Sequence, residues 1–167
     1  MLDQFQSAAE AVGAVVKRFV TMSEAAAYLR ELAGDEPASS SLLPADMKAA
    51  FSDVTFCGNG ELASTRLCLS YALAGIASTG SLLLELGDPA GRAATALPVI
   101  HAALVRSSTI VPDLYALGEL LKERLATPGA AYLSITTGPS RTADIERVLT
   151  IGVHGPKELH ILVLEGA

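Results

Sequence analysis

The sequence predicts one α/β domain over residues 1–167, with a mostly parallel sheet flanked by helices. Three observations carry that prediction. Segments of helical periodicity alternate along the chain with short apolar runs, which is the pattern of strand–helix–strand units. Half the residues are hydrophobic, yet only 5% are aromatic and there is no Trp, so the core is built from Ala, Leu, Val and Ile. The last apolar run, Leu159 to Leu164, has almost no polar alternation, as expected of a strand covered on both faces.

Taken in order, Phe5, Ala8, Ala9 and Val12 recur at helical spacing, and Gly13 stops that helix before the β-prone segment Ala14 to Val20. Ser23 is the expected N-cap of a second helix over 23–33, in which Ala25, Leu29 and Leu32 share a face and Gly34 ends the run. Asp35-Glu36-Pro37 and Ser39-Ser40-Ser41 are linker-like, so a mobile loop is expected at 35–45, followed by a short helix from Pro44 to Phe51. Val54 to Cys57 reads as a short strand, and Gly58-Asn59-Gly60 as a turn.

Ile76 and Leu82 to Leu86 flank Thr79-Gly80-Ser81 as strand, tight turn and strand. Ala93 to Leu97 and His101 to Val105 read as two further strands interrupted by Pro98, which cannot donate a ladder hydrogen bond. Pro112 suits the first turn of a helix striped by Leu114, Leu117, Leu121 and Leu125 and stopped by Thr127-Pro128-Gly129. Ala131 to Thr136 then reads as a buried strand, and 142–150 as a short helix ahead of the final strand.

Composition narrows the partners. A formal charge of −6 disfavours nucleic-acid and anionic membrane surfaces, both of which reward basic ones. The uncharged run Leu67 to Leu84 is long enough to raise a transmembrane span, but Ser70, Gly75, Ser78, Thr79, Gly80 and Ser81 interrupt it. Met1-Leu2-Asp3-Gln4 does not open a basic-then-apolar export signal, so the expected location is cytoplasmic. Cys57 and Cys68 stand eleven apart without a CxxC pattern, and His101, His154 and His160 form no helical ligand pair. Neither a metal site nor a bound cofactor is expected from them.

The densest chemistry lies in Thr137-Gly138-Pro139-Ser140-Arg141-Thr142-Ala143-Asp144-Ile145-Glu146, read as a strand-to-helix turn. There Ser140 or Thr142 can cap the helix, unpaired backbone N–H groups favour an anion, and Arg141 adds a planar fork for a small carboxylate or phosphate. The same residues also read as an ordinary capped helix with Arg141 paired to Asp144. Thr79, Gly80 and Ser81 offer hydroxyls and close backbone approach, or simply a hairpin turn. Arg92 is placed in a loop between two strands, where it can reach an anion or stay solvated. His101 opens an apolar strand, either as a structural histidine or as a proton-transfer group. His154 and Lys157, beside the Gly155-Pro156 turn, can line a cleft or serve as loop charges, and His160 reads as structural.

Three stretches carry a family resemblance: Gly138 to Glu146 with Gly152 to His160, Ala77-Ser78-Thr79-Gly80-Ser81, and Leu97-Pro98-Val99-Ile100-His101. In this order they resemble the C-terminal signature, the Ala-Glu-Thr-Gly-Ser/Thr segment and the Leu-Pro-x-x-His segment of the LUD-domain family. The resemblance implies a fold like that of the phosphosugar isomerases and CoA transferases. It also implies a place in an operon-encoded system that oxidises L-lactate to pyruvate alongside iron–sulfur subunits.

The chain departs from the family at Ser78, where Glu is common, and in a shorter region before residue 50. The family signatures, together with the missing cluster-ligand cysteines, imply a non-redox accessory or ligand-binding subunit. Two other readings stay open. One is an independent enzyme acting on a small phosphorylated or CoA-linked acid; covalent CoA transfer needs an activated carboxylate, and Glu85 is the nearby carboxylate, equally readable as a strand-end charge. The other is a module that docks a partner protein.

Overall fold

A computed structural model describes residues 1–41, 43–52, 54–56, 65–126, 132–143, 149–151 and 154–165. Helix α1 (Leu2–Ala11) leads through Gly13 into β1 (Val15–Phe19). Helix α2 (Met22–Ala33) starts at Thr21 rather than at Ser23. Thr21 accepts from the Glu24 backbone N–H while the Glu24 carboxylate accepts from the Thr21 N–H, a reciprocal pair that satisfies two donors otherwise orphaned at a helix start. The backbone N–H groups of Thr21 and Val20 both donate to the Glu24 carboxylate and hold it below its usual range.

Part of the segment expected as a loop is strand β2 (Ser39–Ser41), paired in parallel with the strand that follows α3 (Ala45–Ala50). Ser39 is fully buried there and donates to the Leu67 carbonyl. Of the expected strand at Val54 to Cys57, an isolated bridge from Ala38 to Phe56 is formed. Cys57 and the Gly58-Asn59-Gly60 turn lie outside the described residues.

The long strand β3 (Leu67–Ile76) turns at 77–80 into antiparallel β4 (Ser81–Glu85). Residues expected as a strand at Ala93 to Leu97 instead belong mostly to helix α4 (Pro89–Ala96). The reason is local: Asp88 accepts from the N–H groups of Ala90 and Gly91, Pro89 supplies a preset φ in the first turn, and Ala fills the remainder. Next come β5 (Ile100–Arg106) and the two-residue β6 (Ile110–Val111). Pro112 precedes the helical region rather than opening it: Asp113 accepts from the Ala116 N–H, a 3-10 turn covers Tyr115–Leu117, and α5 (Gly118–Ala126) continues from it. Thr127-Pro128-Gly129 lies outside the described residues.

Strand β7 (Leu133–Thr136) pairs antiparallel with β4 on its one recorded side, and Ile135 is 47% exposed, so it is not the buried strand expected at 131–136. The helix expected over 142–150 is overturned at both ends, because β8 (Arg141–Ala143) and β9 (Leu149–Ile151) form an antiparallel pair. Strand β10 (Glu158–Leu164) closes the domain and is buried along nearly its whole length.

The main sheet runs β1-β10-β5-β3-β4-β7, with β2 and β6 also paired to β3. Pairings β1/β10, β10/β5, β5/β3, β2/β3 and β3/β6 are parallel, so the α/β architecture with a mostly parallel sheet is the one observed. The first half of β3 lies between β5 and β2, the second between β6 and β4, and a register shift at Ala72/Ala74 marks the change of neighbours.

Apolar side chains alternate to both faces. Phe5 and Ala9 of α1 pack on Leu82, Leu84, Ala103, Val105, Ile161 and Val163. Ala25, Leu29 and Met47 of α2 and α3 pack on Leu67, Leu69, Leu104, Leu162 and Leu164 across the sheet. Two glycines let α1 settle onto the sheet. At Gly80 (φ +65°) a Cβ would run into the backbone of Ala8 and Ala9, and at Gly138 (φ +67°) it would lie 2.6 Å from the Val12 carbonyl oxygen. No helix among the described residues is long and apolar enough to cross a membrane.

Candidate functional site

A cleft of about 320 Å³ opens over the first residues of β5 and β10. Its floor includes His101 and Leu159, one wall is β7 with the turn Thr137 to Ser140, and the others are Leu86, the last turn of α4 at Thr95 and Ala96, and the loop His154 to Pro156. The two loops are tied together where the Ser140 N–H donates to the Pro156 carbonyl at 2.9 Å. Gly155 sits so close to Ser140 that an added Cβ would lie 3.1 Å from the Ser140 Cβ.

Two hydrogen-bonded systems reach this cleft from the sheet. In the first, His101 Nε2 lies 2.7 Å from Ser70 Oγ, with His101 only 3% exposed. Parallel pairing sets Cys68 opposite His101, so Ser70, two residues further along β3, is the diagonal neighbour on the same face. Burial pushes the His101 pKa down to about 4, so the ring is neutral at pH 7. The proton-transfer role open to a histidine of ordinary pKa is thereby weakened, and the ring acts as a neutral hydrogen-bonding group.

In the second system Thr79 Oγ1, Ser81 Oγ and Thr137 Oγ1 form a hydroxyl chain with both links at 2.7 Å. Ser81 is buried at its centre and Thr137 lines the cleft. Each hydroxyl can donate once and accept, so the chain can orient all its donors toward Thr137. Among the described residues lining the cleft there is no Asp, Glu, Lys or Arg. Its polar groups are Thr95, Ser134, Thr136, Thr137, Ser140, His101 and the exposed His154.

The residues singled out in the sequence are thus divided. His101, Gly138, Ser140 and His154 line the cleft, while Thr79 and Ser81 reach it through Thr137. Gly80 serves the docking of α1. Arg141 does not line the cleft: it opens β8 instead of a helix, and its guanidinium lies against Gly13. Among the described residues the anion site expected at Ser140 to Thr142 therefore leads into strand β8 rather than a helix; the Thr142 side chain and Asp144 lie outside what the structure describes.

Arg92 is on α4, not in a loop, and donates to the carbonyls of Leu86 (3.1 Å) and Gly87 (3.4 Å) while its guanidinium stacks 4.8 Å from the Tyr132 ring centre. These contacts brace the Leu86 wall of the cleft. Lys157 is exposed and contributes its backbone N–H to the Val99 carbonyl. Glu85 is ion-paired with Arg124 at 3.1 Å. His160 is structural, as expected: Tyr28 Oη lies 2.9 Å from its Nδ1 and Glu158 Oε2 3.0 Å from its Nε2. Among the described residues no group of three or more His, Cys, Asp or Glu could hold a metal.

Reading by sequence alone missed Ser70, Thr95, Ser134 and Thr136 as neighbours of this site, and placed Thr137 only within the wider turn. Pairing of β4 with β7 brings Ser134 to Thr137 beside the Thr79–Ser81 turn, and nothing local announces that register. The Asp88-Pro89 pair did signal the helix that presents Thr95.

Fold and cleft together define an α/β domain with a concave polar site on one face of its sheet. Residues 59–164 match the family model described as "LUD domain", and the chain belongs to the LUD-domain family. It is 35% identical to lactate utilization protein C of Bacillus licheniformis over 92 residues, 54% of this chain and 38% of that one. The corresponding protein of Bacillus subtilis is 35% identical over 91 residues, 53% of this chain and 38% of that one. An uncharacterized protein of Escherichia coli is 36% identical over 98 residues, 57% of this chain and 42% of that one. The matches thus span well under half the length of these relatives. In fold, the chain is similar to the crystal structure of a DUF162 family protein from Deinococcus radiodurans, with a TM-score of 0.66 over 98% of this chain and 95% of that one at 20% identity.

Proposed function

We propose that this chain is a ligand-binding, non-redox component of a lactate utilization system, and that the cleft over His101 holds a small carboxylate or phosphate. The observation that carries the site is the convergence of the Ser70–His101 pair and the Thr79–Ser81–Thr137 hydroxyl chain on one small cleft. Buried hydroxyls and imidazoles are costly unless they are partnered, and two such systems ending at an open cavity suit a ligand that completes them. The metabolic assignment is supported by the relatives named lactate utilization protein C. Electron transfer is assigned to separate iron–sulfur subunits, since the two cysteines of the chain stand eleven residues apart without a ligand pattern.

Binding is tested by thermal shift and calorimetry with L-lactate, pyruvate and phosphate. A rise in melting temperature that is lost in Thr137→Val supports the cleft, and no shift with any of the three rejects it. The system-level role is tested by deleting the gene and measuring growth on lactate; unimpaired growth counts against the assignment.

A further inference from the structure

We propose that Ser81 is a positioning residue of the cleft: its buried hydroxyl donates to Thr137, so that the Thr137 proton is turned toward an ionised acid that Ser81 itself does not touch. The inference rests on the reading of the cleft as a small-acid site and names the residue that sets the direction of one of its donors.

The fold brings three hydroxyls together from two turns. Leu82 is paired with Thr136 in the antiparallel β4/β7 ladder, so Ser81 and Thr137 are the next opposed positions at its end. Gly80, at φ +65°, reverses the chain between Thr79 and Ser81, and their side-chain oxygens meet at 2.7 Å. Helix α1 holds both turns, because Gly80 lies against Ala8 and Ala9 while Gly138, the residue after Thr137, lies against Val12. The middle member of the row is the buried one: Ser81 is 2% exposed, whereas Thr79 and Thr137 are exposed and Thr137 lines the cleft.

Proton counting gives the row a direction. Each hydroxyl has one proton, so Ser81 can donate along one of its two links at most. If Thr137 donates to Ser81, only the lone pairs of Thr137 are left for the cleft, and these repel an anionic oxygen. If Ser81 donates to Thr137, the Thr137 proton is released for a ligand, and Ser81 in turn accepts from Thr79. An ionised carboxylate or phosphate oxygen is an acceptor and selects the second arrangement. Donation from Ser81 also polarises the Thr137 O–H, which strengthens the bond it makes to the acid. The Ser81 oxygen is itself buried and engaged on both sides, so its contribution to affinity passes through Thr137.

The test is a double-mutant cycle on the full chain, with Ser81→Ala and Thr137→Val made singly and together and read by calorimetric titration with L-lactate, pyruvate and inorganic phosphate. Ser81→Ala is expected to weaken binding about threefold to fivefold in the wild-type background. In Thr137→Val, where the hydroxyl it acts through is gone, the same change is expected to cost less than about twofold. A Ser81 that matters only for folding lowers the melting temperature in both backgrounds without this coupling in affinity. Ser81→Thr, which restores a hydroxyl at the position, is expected to bind within about twofold of the wild type. Ser81→Cys, a weak donor of similar shape, replaces Ser81→Ala in the cycle should the alanine variant not fold. No loss of affinity in Ser81→Ala, an equal loss in both backgrounds, or Ser81→Thr binding no better than Ser81→Ala overturns the inference while leaving the cleft as a binding site. Failure of the wild type to bind any of the three ligands overturns it together with the reading on which it rests.

Discussion

Lowering the pH from 7 to 4 should remove about 3 kcal/mol of stability through His101 alone. The ring titrates near 6.5 in an unfolded chain, but burial holds it at about 4 in the folded one. Between those values the unfolded state binds more protons than the folded state, so stability rises with pH and is lost as pH falls from 6.5 toward 4. At about 1.4 kcal/mol per pH unit, that window corresponds to about 3 kcal/mol, a large share of the total of about 5–15 kcal/mol usual for a domain. The assay is urea denaturation at several pH values for the wild type and for His101→Gln, which keeps a polar group toward Ser70 but does not titrate. Carboxylates shared by both chains cancel in the difference. The wild type should lose stability faster than the variant between pH 6.5 and 4 and at the same rate below pH 4. Parallel curves across the whole window would mean that the imidazole is not buried neutral, and the reasoning about its role in the cleft would fall with it.

Three further outcomes are expected. Gly80→Ala should cost about 3 kcal/mol or more, because positive φ and overlap with the α1 backbone add together, while Gly34→Ala, at φ +61° with nothing within 4 Å, should cost about 1–2 kcal/mol from backbone strain alone; denaturant midpoints compare the two. Thr21→Ala should cost about 1 kcal/mol by removing the α2 cap, and Tyr28→Phe a similar amount by leaving His160 Nδ1 without its hydroxyl, both read from unfolding curves. Thr137→Val should weaken acid binding by about fivefold to tenfold without changing the melting temperature of the free chain by more than a few degrees, whereas Arg141→Ala should change affinity by less than about twofold; calorimetry decides between a site centred on the hydroxyl chain and one centred on the guanidinium.

Where local chemistry is sufficient, the elements are readable in the residues. Phe5, Ala9 and Gly13 define α1 and its end, the glycine turn between Ile76 and Leu82 gives the β3–β4 hairpin, and the apolar run at 159–164 gives β10. Two errors had local remedies. The reciprocal Thr21–Glu24 spacing and the Asp88-Pro89 start both carry a known capping signature, and they outrank the single hydroxyl at Ser23 and the apolar look of Ala93 to Leu97. The β8–β9 pair had no such signal, since a short segment gains its strand conformation only from the partner it meets.

The candidate site divides along the same line. His101, Ser81, Ser140 and His154 are visible in the sequence because turns and family motifs draw attention to them. That Ser70 meets His101, that Thr137 continues the Thr79–Ser81 chain, and that Arg141 turns toward Gly13 depend on parallel register between β3 and β5, on β4 pairing with β7, and on α1 docking over Gly80 and Gly138. The amino-acid order alone determined the α/β layering, because hydrophobic periodicity is a property of neighbours along the chain. Tertiary structure alone decided which polar atoms share the cleft, because strand register and helix docking join residues tens of positions apart through contacts that no short stretch contains.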